Sequence, residues 1–395
     1  MSHRKNVALL AAAQALLLTN GILLVSINGL LGLQLAADKR LATLPITTYV
    51  IGAALATLPA SFFMKRYGRR AGFMLGAGLG MLGALISAFA VSIGSFWLLC
   101  FGTVFAGIYN AFGQQYRFAA ADAAPLEWKS KAISLTLTGG ILGGVIGPEV
   151  GKLTRILLEP TYLASYGALI GFAALAMLIA SRLTIPPLTM AEQNAVGRPL
   201  HRIARQPAFV VAVLAAACGY GVMNLLMTAT PLAMDICGLP FADTAFILQW
   251  HVIGMFAPSF FTGSLIKRFG VLNILIVGAL LMFLCIGVAL SGVTLMHFWW
   301  ALVLLGVGWN FLFIGGTTLL TETYRPEEKA KVQGTNDFLV LGVQGVTSLS
   351  SGVLVTSDGW ASLNAFALPI VAMTTLASTL FWLYRRAAHR AAGSA

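Results

Sequence analysis

Asp122 and Glu322 each stand seven positions ahead of a lysine, Lys129 and Lys329, and each closes a long apolar run. The basic clusters Lys65-Arg66-Tyr67-Gly68-Arg69-Arg70 and Lys267-Arg268-Phe269-Gly270 lie upstream of them. Such carboxylates can take Arg69 or Arg70 in the first case and Lys267 or Arg268 in the second. These are charge-assisted hydrogen bonds that one conformation makes and another breaks. The chemistry on offer is that of a gate, with ordinary interfacial charge as the plain alternative.

Few other ionisable groups fall inside apolar runs, and each is a functional candidate because charge in hydrocarbon is costly. Arg117, within Gln114-Gln115-Tyr116-Arg117, can attract an anionic substrate or pair with Asp337, which can itself carry a coupling proton. A fixed Arg117–Asp337 latch is the competing role. His251 matches Tyr49 by repeat, and an imidazole suits a proton relay. Glu149 is a gating candidate whose alternative is a surface pair with Lys152. Cys100, Cys218, Cys237 and Cys285 lie far apart with no histidine cluster nearby, which excludes a metal site or disulfide framework and leaves packing. With neither a phosphate-binding loop nor a nucleophile constellation, the expectation is no enzyme and no cofactor.

The elements that must position these groups follow from composition. The 395 residues are 58% hydrophobic and 10% charged, too few charges for a water-exposed surface. The apolar residues form long runs, so the helices are apolar nearly all round and lipid is the solvent. Twelve segments suit a hydrocarbon core about 30 Å thick: 7–36, 43–64, 73–93, 96–120, 132–156, 163–184, 207–233, 243–266, 271–293, 297–320, 332–355 and 361–384. The first is too long for a signal peptide and is read as a span.

The net charge of +12 is an orientation signal and does not call for nucleic acid. With both termini in the cytoplasm of a bacterium's inner membrane, most of the 25 lysines and arginines fall inside, and only Lys39, Arg40, Lys152 and Arg155 lie opposite. Pro186, Pro187, Gly197 and Pro199 mark a cytoplasmic linker, 185–206, between the halves 1–184 and 207–395. The halves repeat at an offset of about 200: Glu127-x-Lys129-x-Lys131 matches Glu327-x-Lys329-x-Lys331, and Tyr109-Asn110 matches Trp309-Asn310. The duplication favours transport over anchoring.

At its loops the chain resembles the major facilitator superfamily, over essentially its whole length. The family's loop motif G-x-x-x-D-R-x-G-R-R is met by Ser61-Phe62-Phe63-Met64-Lys65-Arg66-Tyr67-Gly68-Arg69-Arg70, with serine for the glycine and lysine for the aspartate. Gly263-x-x-x-Lys267-Arg268-x-Gly270 carries the same lysine. The family's aspartate helps lock the cytoplasmic side against helix 11, so the latch here must be wired differently. Asp122 with Lys129 and Glu322 with Lys329 resemble the acidic-x6-basic motif of sugar porters. Gly143-Gly144-Val145-Ile146-Gly147-Pro148-Glu149-Val150-Gly151 is similar to a helix 5 motif of exporters, tight packing being the alternative. The arginine motif of helix 4 is absent, with Thr103 and Ala106 before Gly107.

The resemblance implies an all-α membrane protein of twelve transmembrane helices in two pseudo-symmetric six-helix bundles. It implies further that helices 1, 4, 7 and 10 bear the substrate groups: Asn20, Asn110, Gln114, Tyr220, Asn224, Trp309 and Asn310. Amides and aromatics suit a small organic solute held by stacking and hydrogen bonds, although a lone asparagine in a membrane helix commonly serves as interhelical glue. The expected activity is secondary transport by a monomer in the bilayer, coupled to protons, with export favoured over uptake. The rival is a sensor or assembly partner built on a transport fold. Such a protein usually has an added soluble domain, and the longest polar stretch here is the central loop.

Overall fold

In hydrocarbon every backbone N–H and C=O must be satisfied within its own segment, so the apolar runs fold as helices. The computed structural model describes residues 2–38, 41, 44–186, 197–357 and 359–393. Lys39, Arg40, Pro187 and the linker residues 187–196 lie outside the described residues.

Six helices come first: α1 (Ser2–Leu35), α2 (Leu44–Tyr67), α3 (Arg69–Ser92), α4 (Phe96–Gly113), α5 (Tyr116–Ala123) and α6 (Lys129–Leu137). They are followed by α7 (Gly139–Thr154), α8 (Leu163–Ser181), the short α9 (Leu200–Ala204), α10 (Pro207–Ile236) and α11 (Phe241–Phe256). The chain ends with α12 (Ser259–Phe269), α13 (Val271–Ser291), α14 (Leu295–Leu320), α15 (Lys329–Ser357) and α16 (Gly359–Gly393).

Among the described residues, 10 helical stretches are long and apolar enough to cross a membrane. The expected eighth span is divided at Ala257-Pro258, because proline removes a backbone donor and clashes with the preceding turn. The eleventh, α15, is 29 residues long, but its sequence is rich in Ser, Thr, Gly and Gln. Breaks also fall at Gln114-Gln115 and at Thr138.

The chain forms two compact units. The first comprises Met1–Leu126, Leu135–Gly197 and Arg325–Leu341; the second comprises Glu127–Ser134, Arg198–Tyr324 and Gly342–Ala395. Within the first, α7 lays its glycines on α1: a Cβ added at Gly143 would lie 2.6 Å from the Leu18 Cβ, so only hydrogen fits. The glycines of the exporter-like motif thus have a packing role.

The repeat shows in the backbone of the two basic loops. Gly68 has φ 86° and ψ 162°, and Gly270 has φ 88° and ψ 150°, a region essentially restricted to glycine. A Cβ at Gly270 would meet nothing within 4 Å, so only the backbone opposes a side chain there. Gly270→Ala is therefore expected to cost about 1–3 kcal/mol, read as a lower unfolding midpoint of the purified protein. An unchanged midpoint would contradict this loop conformation.

The motif's missing glycine is explained by a second comparison. In the second unit Ser134 Oγ accepts from the Gly263 N–H at 3.0 Å and donates to the Ser259 carbonyl. In the first unit the corresponding pair is Ser61 and Gly334, with the Ser61 Oγ 3.0 Å from the position of a Gly334 Cβ. Serine and glycine have exchanged places, so each close contact keeps one residue without a side chain.

Candidate functional site

The break between α4 and α5 places two adjacent glutamines, and from them a continuous polar chain runs through the first unit. Asn110 Oδ1 accepts from Gln114 Nε2 at 3.4 Å. Gln114 Oε1 accepts from Arg117 Nη1 at 2.9 Å, and Arg117 Nη2 donates to Asp337 Oδ1. The second Asp337 oxygen accepts from Gln115 Nε2 at 2.8 Å, while Asn336 Nδ2 adds a bond to Oδ1 at 3.1 Å. Gln115 Oε1 then accepts from Arg69 Nη1 at 2.8 Å.

Arg69 is the hub of the far end. Its Nε and Nη2 donate to Asp122 Oδ2 at 3.3 and 3.1 Å, and Nη2 also donates to Gln333 Oε1 at 2.6 Å. Lys329 Nζ meets the other Asp122 oxygen at 2.9 Å. Because Lys329 opens α15, the Asp122 carboxylate sits by the positive end of that helix, where an anion is favoured. The Arg117 and Asp337 side chains are only 2% and 1% exposed, so neither charge could stay there without the other.

These contacts include five of the expected gating residues, Arg69, Asp122, Arg117, Asp337 and Lys329. They also include two groups the sequence reading passed over, Gln115 and Gln333. A signal for Gln115 was present, since it adjoins Gln114 in an apolar run. Gln333 lies 264 residues from its partner and had none.

The remaining candidates are placed differently. Glu322 pairs with Arg385 at 2.7 Å, not with Lys267 or Arg268, because α16 continues as helix through Gly393 and carries Arg385 to it. Glu149 pairs with Lys152 at 2.7 Å on the surface, which is the alternative raised for it. Lys129 is half-buried at the start of α6, while both oxygens of Asp122 are held by Arg69 and Lys329. The His251 ring is buried, with Nδ1 2.7 Å from the Leu302 carbonyl and no partner on Nε2. An imidazole held this way has its Nδ1 proton on a carbonyl and a bare lone pair on Nε2.

Asn20 Nδ2 donates to the Leu169 carbonyl at 3.0 Å. Asn224 Nδ2 donates to the Gln344 carbonyl at 3.1 Å. Asn310 is completely buried; its Nδ2 donates to the Met255 carbonyl and to Ser259 Oγ, each at 2.6 Å, and its Oδ1 accepts from Thr262 Oγ1 at 2.7 Å. Asn110 is only half-buried.

In the second unit Tyr220 packs edge-on against Trp309 at 5.2 Å and Phe313 at 5.0 Å, and Trp309 stacks on Phe313. The Trp309 indole N–H is buried without a hydrogen-bond partner. Buried indoles usually find one, but at 1% exposure this donor is enclosed by the Tyr220, Phe256 and Phe313 rings. The first unit thus holds amides linked to ion pairs, and the second a packed aromatic cluster around the Trp309 indole.

A family model for the Major Facilitator Superfamily matches residues 9–341. The chain is 41% identical to the riboflavin transporter RfnT of Brucella anthropi, over 94% of each chain. Among solved structures it resembles the outward conformation of the transporter FucP, with TM-score 0.77 at 17% identity over 96% of this chain and 99% of that one. It also resembles the human organic anion transporter TETRAN, with TM-score 0.78 at 14% identity over 96% of this chain and all 100% of the other. At those identities the two structures speak for the fold alone.

Proposed function

The chain belongs to the major facilitator superfamily, so it is a multi-pass membrane transporter of a small molecule and not an enzyme, and on that premise we propose that it carries riboflavin by alternating access. The substrate rests on the similarity to the riboflavin transporter and on the chemistry of the available groups. Riboflavin is an uncharged, planar heterocycle with hydrogen-bonding edges and a hydroxylated side chain. Amides and aromatic rings suit such a ligand, and paired charges would not. Asn110 and Gln114 are proposed to hold polar edges, Tyr220 and Trp309 to offer ring faces, and Asn20 and Asn224 to have supporting positions.

The observation that carries the mechanism is the unbroken chain from Asn110 to Lys329. A ligand that draws Gln114 toward itself removes a bond from Arg117. That loosens the Arg117–Asp337 pair and, through Gln115 and Arg69, the Asp122–Lys329 contact. Residues 325–341 are then free to leave the first unit. Asp337 is proposed to take up the coupling proton as Arg117 leaves, and His251 to be a second candidate. We place the protein in the inner membrane with both termini cytoplasmic, following its basic loops. Because the glycines behind the expectation of export pack on α1, export is proposed on the resemblance of the helix 5 motif alone.

Counterflow of labelled riboflavin into proteoliposomes loaded with unlabelled riboflavin tests this reading. The expected result is saturable flux. Asn110→Ala and Gln114→Ala should raise the half-saturating concentration roughly three- to tenfold, the worth of one hydrogen bond. Absence of saturable flux for riboflavin would overturn the substrate, and absence across a broad solute panel would favour the sensor reading.

A further inference from the structure

A small open pocket lies in the first unit between the end of α2, the start of α3 and the start of α15, lined among others by Ser61, Lys65, Gly68, Arg69, Asp122 and Lys329. Among the described residues its charge is unbalanced. Three cations face one carboxylate, and both oxygens of that carboxylate are already engaged, one by Arg69 and one by Lys329. Lys65 is half-buried and makes no ion pair or hydrogen bond among the described residues. It also stands at the position where the family's loop motif has an aspartate.

Two further observations point the same way. The Ser61 hydroxyl, on a residue only 2% exposed, lines the pocket and has no hydrogen-bond partner among the described residues. A buried hydroxyl without a partner is costly unless a ligand supplies one. Beside it α3 begins at Arg69 behind Gly68, which provides no side-chain cap. The N-terminus of a 24-residue helix, without a side-chain cap, thus borders the pocket.

We infer that this pocket binds a phosphate-bearing anion, whose charge bridges Lys65 and Lys329 and holds residues 325–341 in the first unit. The anion supplies from solution or membrane the negative charge that the motif aspartate would provide. A phosphate group can accept at once from two ammonium groups, a hydroxyl and backbone amides, as the lining requires. By its basic loops this end of the unit is the cytoplasmic one, so the source is a soluble phosphomonoester or a phospholipid headgroup. The inference does not depend on riboflavin being the substrate.

The test uses the full-length protein, purified in uncharged detergent or held in nanodiscs, with thermal unfolding as the readout. Inorganic phosphate and glycerol phosphate are compared with chloride at equal ionic strength, and nanodiscs of neutral lipid with nanodiscs containing phosphatidic acid. Phosphate or phosphatidic acid should raise the unfolding midpoint of the wild type. Lys65→Gln should weaken the response roughly tenfold, as loss of one charge-assisted contact, and Lys65→Arg should keep it. Lys65→Asp should lose the response while starting from a higher midpoint, having its own carboxylate beside Lys329. A response to soluble phosphate assigns the phosphomonoester, and one confined to phosphatidic acid assigns the headgroup. No response beyond chloride in either arm, or an undiminished response in Lys65→Gln, overturns the site.

Discussion

Asp337→Ala is expected to destabilise the protein by about 3–5 kcal/mol, because it leaves the Arg117 guanidinium in a nearly dry position. Asp337 also accepts from Gln115 and Asn336, so those amides lose a partner in the same change. The double variant Arg117→Met with Asp337→Leu removes both charges and fills the space with carbon. It should recover most of the lost stability, since apolar pairs replace buried ion pairs at little cost.

Transport separates structure from mechanism. The double variant should fold yet fail to move substrate, because the joint between Gln114 and Arg69 is gone. Asp337→Asn retains the shape and some of the bonds but cannot carry a proton. It should abolish accumulation driven by a pH gradient while exchange continues. Accumulation at the wild-type level in that variant would eliminate Asp337 as the proton carrier. Wild-type stability in Asp337→Ala would show that Arg117 is not held by this carboxylate.

The sequence made the spans legible because hydrophobic length is a coarse property that a bilayer reads directly. α13, expected over 271–293, spans Val271–Ser291, and α14, expected over 297–320, spans Leu295–Leu320. Breaks inside spans were less visible, since hydropathy averaged over some twenty residues passes smoothly across Gln114-Gln115 and Ala257-Pro258. Charged partners were legible where burial forces pairing, as for Arg117 and Asp337. Among exposed groups only the local pair of Glu149 with Lys152 was legible: Glu322 is open enough to accept any cation within reach, and the length of α16 made that cation Arg385. Gln115 and Gln333 escaped notice because nothing in the local sequence shows which distant charges an amide will meet. Gln115 joins two ion pairs that the sequence treats as separate, and Gln333 gives Arg69 a further acceptor.

The repeat made Asn110 and Asn310 look equivalent, and their surroundings predict opposite responses to the same substitution. In the second unit Pro258 interrupts the eighth span, so the Met255 carbonyl at the end of α11 must find a donor elsewhere, and Asn310 provides it. The same side chain holds Ser259 and Thr262 at the start of α12. It works as a staple across the break. α2, the corresponding span of the first unit, stays helical from Leu44 to Tyr67 across its own Pro59. No staple is needed there, and Asn110 is left half-buried with Gln114 as its contact. Asn310→Ala should therefore cost about 1–3 kcal/mol for each polar group left without a partner, lowering the unfolding midpoint while the shift produced by riboflavin stays as in the wild type. Asn110→Ala should do the reverse, leaving the midpoint nearly unchanged and reducing the riboflavin shift. A ligand shift lost in Asn310→Ala with its midpoint intact would return Asn310 to the substrate groups, and equal ligand shifts in Asn110→Ala and wild type would remove Asn110 from them.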